Sequence, residues 1–139
     1  MPHPSTIEPA DLTDVGRELL NGPNLGHVSV TDSKGRIVTS ILWVHERDGK
    51  VLTSSPIDSA KGRFLRERPQ IAVSVVHPTN QFRYVSISGE VTKITPDTDL
   101  AFIDEMSRKY LGSDYGQREG AREVFEITPH KVRSSTGTW

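Results

Sequence analysis

The sequence predicts a mainly β domain: six antiparallel strands closed into a small barrel, with helices set between them. Three observations carry this. Six runs rich in Val, Ile, Thr and Ser are separated by turns containing Gly, Pro and Asp. The first three runs follow one another through short Gly-containing turns, the pattern of an antiparallel meander. Strands and helices do not alternate, which argues against a parallel sheet, and closure into a barrel removes exposed edges.

In chain order, "MPHPST" opens a loose arm over residues 1–9. A helix follows, capped by Asp11 or Thr13, with Leu12, Val15, Leu19 and Leu20 at helical spacing and "NGPN" as its stop. "LGHVSVTD", "RIVTSILWVHE" and "KVLTSS" are the first three strands, joined by the turns "DSKG" and "ERDG". A short helix capped by Asp58 or Ser59 runs to about Arg68, before Pro69. "QIAVSVVH" is the fourth strand. "FRYVSISGEVTKIT" is the fifth, and Gly89 within it signals a bulge or bend. "PDTDLAFIDEMSRKYLG" is a helix with Asp97 or Thr98 as cap and Gly112 as terminator. "SDYGQREGAR" is a polar loop, and "EVFEITPHKVRSS" is the last strand.

The 139 residues fit one domain spanning 1–139. A chain of this length buries about two-thirds of its unfolded surface and needs no staples. Without cysteine, thiol nucleophiles, disulfides and cysteine-ligated zinc are excluded. Seventeen Lys and Arg against eighteen Asp and Glu leave a net charge of −1, without the basic footprint of a nucleic-acid binder. No apolar run has membrane-spanning length, and the N-terminus does not read as a secretory signal. The expectation is a cytoplasmic protein.

Catalytic motifs are missing. The five histidines stand apart from one another at spacings that do not suit a metal, so no metal site is expected. The nucleophile elbow, the phosphate-binding Gly-rich loop and the dinucleotide fingerprint are absent. Trp43 in the second strand is either core packing or the wall of a ligand pocket. Arg83 and Tyr84 open the fifth strand, as strand-end residues or as ligand contacts. Trp139, after "RSSTGT", is either a free tail or an anchor on a partner subunit.

The sharpest local signal is "SSPIDSAKGRFLRERP", residues 54–69. It joins a strand to a helix and places Ser54, Ser55, Ser59, Lys61 and Arg63 close together. Hydroxyls, cations and first-turn amides are what an anion site needs. The same residues also describe a capped, solvated basic helix. Residue chemistry by itself divides evenly between the two.

The order of these segments resembles the flavin and deazaflavin oxidoreductase superfamily, the split β-barrel group that includes pyridoxamine 5′-phosphate oxidase. The best match is to its short branch that binds coenzyme F420. "GRIVTSILWVHERDGKVLTSS" resembles the family's second and third strands, and "SAKGRFLRERPQIAVSV" its phosphate segment. "FRYVSISGEVTKITPD", "FIDEMSRKYLGSDY" and "EVFEITPHKVRSS" resemble its later strands and helix. The likeness covers about residues 10 to 135. This chain has Phe64 where the family has Asn, Arg68-Pro69-Gln70 for Asp-Pro-Arg, and Ile41 where Pro is common.

The resemblance implies a homodimer with cofactors at the subunit interface. It implies that Lys61 and Arg63 hold the cofactor phosphate, with Ser54 and Ser59 around it. Ser40 and Trp43 would border the ring system, and Arg83 and Tyr84 would lie where the partner subunit approaches. Arg66 and Arg68 would be available to the acidic tail of coenzyme F420. The implied reaction is hydride transfer from reduced deazaflavin to an electron-poor small organic acceptor, with no side chain assigned to catalysis. FMN is the alternative cofactor, and a non-catalytic or haem-binding barrel the alternative role.

Overall fold

The computed structural model of the chain describes residues 8–138. The expected N-terminal arm therefore falls mostly outside the described residues, as does Trp139. Helix α1 is Asp14–Asn21. Strands β1 (Gly26–Thr31), β2 (Ile37–Leu42), β3 (His45–Arg47) and β4 (Lys50–Pro56) follow. Helix α2 is Ala60–Glu67. Then come β5 (Gln70–Val76), β6 (Arg83–Pro96), helix α3 (Ala101–Leu111) and β7 (Arg122–Thr136). All pairings are antiparallel, and the sheet order is β2-β1-β5-β6-β7-β4-β3.

The expected architecture is present, with seven strands in place of six. The run "RIVTSILWVHE" divides at Trp43 and Val44 because its halves pair with different neighbours. Leu42 lies opposite Gly26 of β1, whereas His45 lies opposite Leu52 of β4. Consequently β2 and β3 are the two outer strands of the sheet, yet they are consecutive in sequence. The three residue steps from Leu42 to His45 reach at most about 11 Å. The sheet must therefore be rolled until its edges meet, but no ladder joins them. It is a barrel split along one seam, and two residues bridge the seam. Val44 is fully buried there, within a space that a Cβ on Gly26 would invade at 2.6 Å.

Strand alternation separates two cores. Inside the barrel Val28, Val51, Val73, Val85, Ile87, Phe125 and Ile127 pack with Leu19 and Leu20 of α1 and Leu65 of α2. On the other face of β4, Leu52 packs with Phe102 and Met106 of α3, flanked by Trp43 and Val124. The helices start where short-range chemistry places them. Thr13 accepts from the Gly16 amide at 3.0 Å, and Ser59 from the Gly62 amide at 3.1 Å. The third helix begins later than its sequence pattern suggests. Asp99 and Leu100 take positive φ values of 58°, and Asp97 instead reaches forward to the Phe102 and Ile103 amides at 2.7 and 2.9 Å. Gly89 sits at a register shift in the β6–β7 ladder, the expected bulge. No helix among the described residues is long and apolar enough to cross a membrane.

Candidate functional site

The junction from β4 to α2 folds into a polar corner. The Ser55 and Ser59 hydroxyls are 3.0 Å apart, and Ser59 caps α2. Lys61, in the first turn of α2, makes no hydrogen bond or ion pair among the described residues. Burial pushes its ammonium below the ordinary lysine value, and the charge of Arg122 pushes the same way. Two cations thus sit near one another beside the amides that open a helix, and the acid at this turn, Glu123, is paired with Arg66. An anion placed at the Lys61 turn offsets the cost of that buried charge.

Ser54 points to the opposite face of β4 from Ser55, and the Arg122 guanidinium donates to its hydroxyl through Nη2 at 3.1 Å. Arg122 also lies over the Tyr115 ring, 5.3 Å from its centroid. Tyr115 is held by Asp104 of α3. The Asp104 carboxylate accepts from the Tyr115 amide at 2.9 Å and from Arg118 at 2.6 Å. Those two bonds, Arg118 first, keep it below the usual carboxylate range. Trp43 completes the wall, stacked on Tyr110 at 5.2 Å and edge-on to Tyr115 at 6.0 Å. Trp43, Ser54, Tyr115 and Arg122, with Ile41, Leu42, Ile103 and Met106, line a pocket of about 210 Å³ that is open to solvent.

The seam is fixed by side chains in place of a ladder. Thr53 donates to the Trp43 carbonyl at 2.9 Å, and the Val44 amide donates to the Tyr110 hydroxyl at 3.0 Å. Lys109 donates to the carbonyls of Val44 at 2.7 Å and Leu20 at 3.0 Å. Burial lowers Lys109 to about 8. The neighbouring His45 is also lowered, by burial first and then by Lys109.

Of the residues that the sequence singled out, Ser59 and Lys61 lie at the corner that opens α2, and Ser54 and Trp43 line the pocket beside Arg122. Others stand apart. Arg63 is exposed and turns back to the Asp58 carbonyl at 2.8 Å. Ser40 lies half-exposed on β2 opposite Val28. Arg83 binds Glu18 and the Thr136 carbonyl, and Tyr84 is exposed on the outer sheet face. Arg83 pairs with Thr136 at one end of β7, whereas Arg122 starts the other. A straight strand of that length spans roughly 45 Å. Arg66 is not available to a ligand tail, because Glu123 takes it in a forked ion pair, and Arg68 turns to Glu67 and the Asp32 carbonyl. Arg122 and Tyr115 were invisible to sequence reasoning, since only the β4–β7 pairing, which brings Arg122 to the Ser54 hydroxyl, and the anchor on Asp104 reveal them. No cluster of three or more metal-ligating side chains occurs among the described residues.

Residues 12–136 match the family model described as pyridoxamine 5′-phosphate oxidase. The chain belongs to that family. The pyridoxamine 5′-phosphate oxidase fold is shared with several solved structures. An F420 reductase superposes with a TM-score of 0.77 at 22% identity, covering 84% of this chain and 94% of its own. A conserved hypothetical protein from Mycobacterium tuberculosis gives 0.65 at 15% identity, covering 87% and 82%. A pyridoxamine 5′-phosphate oxidase-related, FMN binding protein from Nostoc punctiforme gives 0.56 at 13% identity, covering 79% and 72%. No curated protein matches the sequence.

Proposed function

We propose that the protein is an F420-dependent oxidoreductase that delivers hydride to an electron-poor small organic acceptor. The observation that supports it is Lys61: a half-buried ammonium without an acid partner, beside the open end of α2 and the Ser55–Ser59 hydroxyl pair. These residues fit a phosphate ester. A reduced deazaflavin supplies the hydride when bound. The chain holds the phosphate through Lys61, Ser59 and the first-turn amides, and the Trp43 segment walls one side and excludes water. The likeness to an F420 reductase along most of both chains favours this cofactor over FMN.

The active form in this reading is a cytoplasmic homodimer. Ile37, Ile41, Val76 and Tyr84 are exposed on the outer face of the sheet, among the small residues Ser29, Ala72, Ser74 and Ser86. Arg83 and Tyr84 lie far along the barrel from Lys61, so they reach a cofactor held there only from a second copy.

Titration of the purified protein with coenzyme F420 and with FMN, followed by fluorescence, tests the assignment, and sedimentation tests the dimer. Coenzyme F420 binding together with hydride delivery to a panel of enones and quinones is the expected outcome. Tight FMN retention without F420 binding would give the flavin reading instead. Failure with both cofactors, or a monomer at micromolar concentration, would overturn it.

A further inference from the structure

Arg122 is an anomaly among the arginines of this chain. Of those that are partly buried, Arg68 and Arg83 have carboxylate partners. Arg122 has none among the described residues. A guanidinium carries five N–H donors. Arg122 uses one of them, on Ser54. Its Nε has no acceptor but is closed to solvent, so the donors left for a ligand are those of the terminal nitrogens. The guanidinium borders the pocket of about 210 Å³, which Trp43 and Tyr115 line with aromatic rings and Ile103 and Met106 with apolar side chains.

Chemistry restricts the occupant. The pocket of about 210 Å³ exceeds the roughly 150 Å³ that holds benzene, so a single ring fits, and its open side leaves room for substituents. Its aromatic walls favour a flat ring, offset-stacked or edge-on. The unspent donors of Arg122 favour a planar anion, which a guanidinium meets in a paired geometry that an ammonium lacks.

We propose that this cavity is a subsite for a planar aromatic or conjugated carboxylate, held by Arg122 and packed against Trp43 and Tyr115. As the seat of the hydride acceptor it rests on the oxidoreductase reading above. As a binding site it does not.

The test is calorimetric titration of the full-length protein with benzoate and with its neutral isostere benzamide. Benzoate binds, and benzamide binds at least about tenfold more weakly, the loss expected for a charge-assisted hydrogen bond. Arg122→Gln removes the preference for benzoate. Protein saturated with coenzyme F420, or with FMN where that is the cofactor retained, still binds benzoate. Equal affinity for the two probes, or binding of neither, overturns the subsite, and neither result needs a variant that folds. Displacement of benzoate by the bound cofactor also overturns it, because the cavity then belongs to the cofactor. Benzoate selectivity in a protein that binds neither cofactor keeps the subsite and overturns the proposed function, so the two failures are distinct.

Discussion

Glu123 receives both terminal nitrogens of Arg66, Nη2 on Oε1 at 2.5 Å and Nη1 on Oε2 at 3.0 Å. The carboxylate side chain is only 5% exposed and the guanidinium 41%. The pair ties α2 to the start of β7 and so holds the Lys61 turn against the sheet. Removing Arg66 strands a buried charge, which costs 3–5 kcal/mol when a pair is fully buried. Solvent around Arg66 reduces that here. Arg66→Met is expected to lose about 2 kcal/mol in urea unfolding. Arg66→Met combined with Glu123→Met should recover part of the loss, since no charge is then left unpaired. A double variant as unstable as the sum of its parts would contradict this.

Lys61 and Arg63 are separable by experiment. Lys61→Ala should weaken binding of the phosphate-bearing cofactor by about 1.5–3 kcal/mol, the range for a hydrogen bond to a charged group. Arg63→Ala should stay near wild type, because Arg63 is spent on the Asp58 carbonyl. Cofactor titration of both variants checks the assignment, and a reversed ranking would place the phosphate elsewhere.

Lys109 makes stability depend on alkaline pH. Its folded value of about 8 lies below the ordinary 10.5, chiefly through burial. Below pH 8 the ammonium is charged in both states, and its burial cost is fully present. Between about 8 and 10.5 the unfolded chain binds the extra proton, so stability gains with rising pH. The stability of wild type relative to Lys109→Met should therefore increase from pH 7 to pH 10 in urea unfolding. Parallel pH profiles for the two proteins would refute the shift.

Gly89 has no room for a side chain. A Cβ there would lie 2.4 Å from the Thr128 carbonyl oxygen, a backbone atom that cannot step aside cheaply. Gly89→Ala is expected to cost about 3 kcal/mol or more, at the upper end of overpacking effects. Thermal unfolding measures it, and a loss below about 1 kcal/mol would mean that the bulge adapts.

The features legible in the sequence are those fixed by a few neighbouring residues. The caps at Thr13 and Ser59, the stop at Gly112 and the bulge at Gly89 depend on local chemistry, and the structure has them where the pattern puts them. The break at Trp43 and Val44 was not legible, because "RIVTSILWVHE" has strand character throughout. What divides it is the identity of its partners, which are distant in the chain. Asp97 is a cap that the pattern names, but its carboxylate serves a helix that starts four residues after it, a reach that local spacing does not show. Lys61 could be found by composition, but Arg122 could not. It belongs to the site only because β7 pairs with β4 so that Val124 faces Ser54, and pairing register is not written in either strand alone.

The seam bridged by Trp43 and Val44 has a consequence for local opening. In an open sheet the two outer strands fray independently, and each loses only its own ladder. Here β2 and β3 share one taut stretch of backbone, so release of either slackens the attachment of the other. The outer positions of the sheet should then behave as a single cooperative unit. Backbone amides of β2 and β3 would exchange with deuterium together, although five strands separate them across the sheet.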